Sequence, residues 1–152
     1  MNSNLAAFKI ERRRVSVAVF VDDRLDYTGT RQLPSLYAKA NDSATRYVDW
    51  IRRAFEIEGA ALEKTHSDLK TWRSKFTKEI IAQLRDNGVP IFEVEKESLL
   101  ASFAHPPLRH RTGLREVVSS IWPILATKDQ SASLLDAAAM GLYVQVEKLF
   151  RA

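Results

Sequence analysis

The residues best able to do chemistry in this chain are carboxylates and guanidinium groups, because the other usual agents are missing. There is no cysteine among the 152 residues. That removes disulfide frameworks, thiolate metal sites and thiol nucleophiles together. The three histidines, His66, His105 and His110, have no i, i+4 pairing, so a histidine-rich metal site is not expected. No Gly-rich phosphate loop, Ser-His-Asp arrangement or cofactor fingerprint is present. Basic chemistry is better represented. Arg109, His110, Arg111 and Arg115 fall on one short stretch approached through Pro106 and Pro107, and guanidinium groups so placed can take phosphate oxygens in bidentate pairs. Lys70, Arg73, Lys75 and Lys78 mix with Asp68 and Glu79 and read as a solvated helix face. The net charge of +4, from 23 basic and 19 acidic residues, favours a polyanionic partner but lies below that of a DNA-coating protein.

The elements that must position these groups follow from periodicity. Leu5 to Glu11 is a short apolar run that ends in a carboxylate, and Arg12-Arg13-Arg14 breaks it. Val15 to Val21 is β-branched and apolar on both faces, the pattern of a strand inside a covered sheet. Asp22-Asp23-Arg24 signals a turn, and Leu25 to Leu33 alternates closely enough for a third antiparallel strand before Pro34. From Asp42 or Ser43 the period becomes helical, with Tyr47, Val48, Ile51, Ala54 and Phe55 at helical spacing. Ala54 to Glu58 reads either as the end of that helix or as a short strand. Leu69 to Asn87 places Leu69, Trp72, Phe76, Ile80 and Leu84 at three- and four-residue steps, and Asn87-Gly88 stops it. Val89 to Val94 is a short strand and His105 to Gly113 a loop. One helix then carries Val117, Val118, Ile121 and Trp122, and another runs from Ser131–Ser133 to about Phe150. No repeat, low-complexity tract or linker divides the chain, so one domain over residues 1–152 is expected. The longest apolar runs fall far short of the ~20 residues that span a bilayer. Met1 to Leu5 lacks the pattern of a secretion signal, and a cytoplasmic location is expected.

Three acids sit at the ends or beginnings of these elements. Glu11 can be a turn carboxylate beside Arg12–Arg14, Glu58 a solvated helix acid next to Glu56, and Asp136 a first-turn acid at the positive end of a helix dipole. Asp22 and Asp23 end a strongly apolar strand in a way similar to the start of PIN- or NYN-type nucleases. Those folds continue with a helix, whereas Leu25 to Leu33 reads as a strand, so a hairpin turn is the better reading.

The element order, with its motifs, resembles the α/β RNase H-like fold and within it the RuvC-type Holliday-junction resolvases. Ile10-Glu11 is similar to the acid that ends the family's first strand, and Ile57-Glu58 to the Ile-Glu pair that ends its fourth. Asp136-Ala137-Ala138-Ala139 is similar to the family's Asp-Ala-Ala run in the last helix. Gly88 to Val94 resembles the fifth strand, and Gly113 to Val118 the basic segment that begins the next helix. The resemblance implies a mixed five-stranded sheet, three antiparallel strands followed by a βαβ unit, with helices on both faces. It further implies Glu11, Glu58 and Asp136 as catalytic residues and ligands of Mg or Mn, and DNA as substrate to a homodimer. Arg109, Arg111 and Arg115 are the expected nucleic-acid contacts. In two-metal cleavage, ions about 3.5–4 Å apart activate water and stabilise the leaving oxygen. The chain departs from the family at Glu11, which replaces an Asp, at the three arginines that replace a Gly-containing turn, and at Ala139, where a second Asp is usual. Two functions are therefore expected as alternatives: a metal-dependent endonuclease on branched or structured DNA, or a catalytically inactive scaffold that binds nucleic acid or a protein partner.

Overall fold

Strand pairing organises the chain. The structure is a computed structural model that describes residues 4–64, 72–104 and 108–147. Its first three strands, β1 (Asn4–Ile10), β2 (Arg14–Val21) and β3 (Arg24–Gln32), form the expected antiparallel meander. Helix α1 (Tyr37–Ala54) crosses to β4 (Gly59–Glu63), which pairs in parallel with β1, and α2 (Trp72–Asp86) crosses to β5 (Ile91–Val94), parallel to β4. The sheet order is β3-β2-β1-β4-β5, the mixed five-stranded arrangement expected from the resemblance. Helices α3 (Lys96–Ser102), α4 (Arg111–Ile121) and α5 (Ser131–Val146) complete the chain, with a 3₁₀ turn at Pro123–Thr127 before the last.

Alternation along the strands sorts the core into two layers. Even-numbered residues of β1 (Ala6, Phe8, Ile10) and Ala60 and Leu62 of β4 pack with α1 and α2. Odd-numbered Leu5, Ala7 and Ala61 pack with α4 and α5. Because side chains alternate with a period of two, Lys9, Glu11 and Glu63 belong by parity to the α5 face. The apolar burial of α5 on this face is nearly continuous, with Leu134 through Met140 all buried.

Two boundaries differ from the sequence-based expectation. Helix α1 begins at Tyr37, not at Asp42 or Ser43, and has no side-chain cap. The short strand offered for Ala54–Glu58, on which the resemblance placed Glu58, does not form. Phe55 caps α1, Glu56 takes a left-handed φ of 49°, and the Ile57 N–H donates to the Arg52 carbonyl. That is the bond pattern of a left-handed helix terminus, written here with Glu where Gly or Asn would announce it. The strand starts only at Gly59. Helix α3 lacked a visible signal, being a single short amphipathic segment. Leu69, Pro106, Pro107 and Phe150 lie outside the described residues. Among those described, no helix is long and apolar enough to cross a membrane.

Helix α5 approaches the sheet closely because its inner residues are small. A Cβ at Gly141 would come within 2.2 Å of the Phe20 ring, and that ring is fully buried and edge-packed on Trp122 at 5.8 Å. Gly141→Ala is therefore expected to destabilise the protein by about 1–3 kcal/mol through overpacking, although Ala is the better helix former by ~1 kcal/mol. Thermal melting checks the sign, and adding Phe20→Leu should recover part of the loss.

Candidate functional site

The parallel pairing of β1 with β4 builds the site. Phe8 is opposite Leu62, so one residue further on Lys9 and Glu63 lie side by side at the carboxyl ends of both strands. Glu11 follows β1 immediately. Asp136, in the second turn of α5, lies over the same edge, and Arg111 and Arg115 enter from the first turns of α4. The four elements meet through charge. Lys9 Nζ lies 3.2 Å from Glu63 Oε2 and 3.7 Å from Asp136 Oδ2. Arg115 donates through Nε and Nη2 to the two oxygens of Asp136, both at 2.9 Å. Arg111 donates to Glu63 and approaches Asp136 at 3.9 Å. On the flank, Arg14 pairs with Glu11 at 3.2 Å and donates through Nε to Ser133 Oγ at 3.3 Å, while the Ser133 hydroxyl donates to Glu11.

These contacts decide the protonation states. Burial pushes the pKa of Glu63 up, but the charges of Lys9 and Arg111 and the bonds they donate outweigh it. The net direction is down from the ordinary 4.5. The bidentate bond to Asp136 pushes Arg115 up, against a smaller opposing effect of burial. Glu63 is thus held as an anion by cations of the same chain.

A divalent metal does not fit this donor set. Magnesium and manganese need several oxygen ligands facing one open position, whereas here the space between Glu63 and Asp136 is taken by an ammonium. Unit charges about 4 Å apart in a medium of effective dielectric about 20 interact by about 4 kcal/mol. A divalent ion beside Lys9 would meet roughly twice that in repulsion. Among the described residues, no three acidic or histidine side chains are arranged to share a metal ion.

Of the acids singled out in the sequence, Glu11 and Asp136 reach this edge of the sheet and Glu58 does not. Glu58 is exposed, and its N–H donates to the Asn4 carbonyl at the opposite end of β1. With a rise of about 3.3 Å per residue, that is roughly 20 Å from Glu11. It also has the wrong parity for the α5 face. Glu63 stands where Glu58 was expected, five residues later. Arg111 and Arg115 are present but turned toward carboxylates, and Arg109 is exposed. Ala139 is fully buried in the packed face of α5. The position one turn from Asp136 that faces Glu11 is Ser133. Lys9, Glu63 and Ser133 were missed by sequence reasoning, whereas the reading of Glu11 as a turn carboxylate beside Arg12–Arg14 anticipates its pair with Arg14. Only Lys9 carried a signal, as a lone charge within an apolar strand.

Solved structures share this architecture. Thermus thermophilus RuvC in complex with Holliday junction substrate superposes with a TM-score of 0.76 at 13% identity, over 97% of this chain and 95% of that one. The yeast mitochondrial Holliday junction resolvase Ydc2 gives 0.67 at 7% identity, over 93% of this chain and 78% of the other. Fowlpox virus resolvase with substrate Holliday junction DNA gives 0.60 at 13% identity, over 97% and 99%. No family model and no curated protein matches the sequence. The chain has the RuvC-like, RNase H-like fold, and at these identities the fold is what is shared.

The lowered pKa of Glu63 fixes a pH dependence. A carboxyl depressed in the folded state stabilises it above the unfolded value near 4.5, and that stability is lost as pH falls through the folded value. Glu63→Gln leaves Lys9 and Arg111 short of a charge partner and should cost about 3 kcal/mol at neutral pH. The gap between wild type and variant should close below pH 4.5, as followed by denaturant unfolding across pH.

Proposed function

We propose that this chain is a nucleic-acid-binding protein on the resolvase scaffold, with an ion cluster whose acids are paired to the chain's own cations where a nuclease would hold metal. One observation carries the reading: the Lys9 ammonium lies between Glu63 and Asp136. The acids that gather are Glu11, Glu63 and Asp136, and each already accepts from a cationic side chain. Cleavage by Mg or Mn held on Glu11, Glu58 and Asp136 is not supported, since Glu58 lies at the far end of β1. Nucleic-acid binding is supported by the fold, because Thermus RuvC and the fowlpox resolvase were both solved with Holliday junctions. It is supported also by the basic rim. Arg12 and Arg13 are exposed on the β1–β2 turn, and the bond from the Leu33 N–H to the Arg13 carbonyl brings the end of β3, with exposed Arg31, beside them. Arg109 adds a further exposed guanidinium before α4.

The test is a four-way junction offered with Mg²⁺ or Mn²⁺. Retarded migration without nicking is expected; nicking that requires the metal would overturn the reading. Arg109→Ala should leave the melting temperature unchanged and reduce the salt dependence of binding by up to about 0.9 in log–log slope, one phosphate contact's worth. An unchanged slope would remove Arg109 from the interface.

A further inference from the structure

We infer that the ion cluster seats one phosphate group of the bound backbone directly on its guanidinium groups, with no bridging metal. This rests on the nucleic-acid reading for the source of the phosphate. The cluster borders a concave basin of about 420 Å³. Five cationic side chains, Lys9, Arg12, Arg14, Arg111 and Arg115, line it together with Glu11 and Asp136. Even with Glu63 counted beneath, and with Arg12 left out, four cations face three carboxylates, so the basin carries surplus positive charge and attracts an anion.

The layering points the same way. The Asp136 side chain is 1% exposed and that of Glu63 9%, against 32% for Arg115 and 22% for Arg111. Two carboxylates form the floor and the guanidinium groups stand above them. A ligand entering the basin meets N–H donors before it meets oxygen. Arg115 commits Nε and one N–H of Nη2 to Asp136, so three of its five N–H donors remain for another acceptor. The bidentate bond holds the guanidinium plane in place, so little side-chain freedom is lost when an anion arrives. In this arrangement Asp136 and Glu63 are positioning residues: they orient the arginines. Only Glu11, at the rim, opposes the ligand, and Arg14 and Ser133 already engage it.

The probes are inorganic phosphate alone, followed by thermal shift and ³¹P line broadening, and a labelled four-way junction followed by anisotropy, both in excess EDTA and in Mg²⁺. Binding of each probe should be equal in the two buffers. Arg115→Gln should weaken junction binding at least tenfold. Arg115→Lys, which keeps the charge but loses the fork, should weaken it less, and Arg14→Gln, at the rim and bonded to Glu11 and Ser133 rather than to Asp136 or Glu63, provides a variant that does not disturb the floor. Arg46→Gln on α1, paired only with exposed Asp42, should change nothing. Junction binding that persists in EDTA but ignores the Arg115 and Arg14 variants overturns the seat and leaves the nucleic-acid reading standing. Phosphate binding lost in these variants, without any junction binding, upholds the seat and overturns the nucleic-acid source. Binding of either probe that EDTA abolishes overturns the inference.

Discussion

An ammonium group set between two buried carboxylates ties the sheet to the helices that cover it. Lys9 belongs to β1, Glu63 to β4 and Asp136 to α5, and the arginines bring in α4. A carboxylate as buried as Asp136 costs several kcal/mol unless it is paired and hydrogen-bonded. The three elements can therefore come together stably only with their cations in register. The register is supplied by backbone pairing, Phe8 against Leu62, which leaves Lys9 and Glu63 no separation to bridge.

The close approach of α5 is the second constraint, and it is steric. Ala137, Ala138, Ala139 and Gly141 let the helix lie down on Ala7, Ala18, Phe20 and Ala61. With bulkier residues the helix axis would stand off the sheet, and Asp136 would lose reach to Lys9. The small residues of the sheet and helix thus serve the charges at its edge, and the packing and electrostatics of the site are one problem solved once.

Much of this was legible in the sequence. The meander, the helical periods and the order of elements all carried patterns strong enough to imply the RNase H-like arrangement, and Asp136 was placed correctly on the last helix. The fourth strand was not legible. Gly59-Ala-Ala-Leu-Glu63 has no β-branched residue to mark it as a strand, and the left-handed turn that precedes it uses Glu56. Neighbouring Ile57-Glu58 imitated the strand's end, so the acid was assigned five residues early. The pairing of Lys9 with Glu63 was hidden for a different reason: it depends on strand register between segments fifty residues apart, which no local pattern records.

The salt cluster also constrains how such a centre can change over generations. Removing Lys9, Arg111 or Arg115 alone strands a buried carboxylate, and removing Glu63 or Asp136 alone strands cations. Breaking a buried pair this way costs about 3–5 kcal/mol, a large part of the roughly 5–15 kcal/mol that holds a domain folded. A path from this cluster to a metal centre, or back, crosses states that barely fold unless several charges change together. Once the ammonium has settled among the acids, the exchange behaves as a ratchet, because each single step back strands a buried charge.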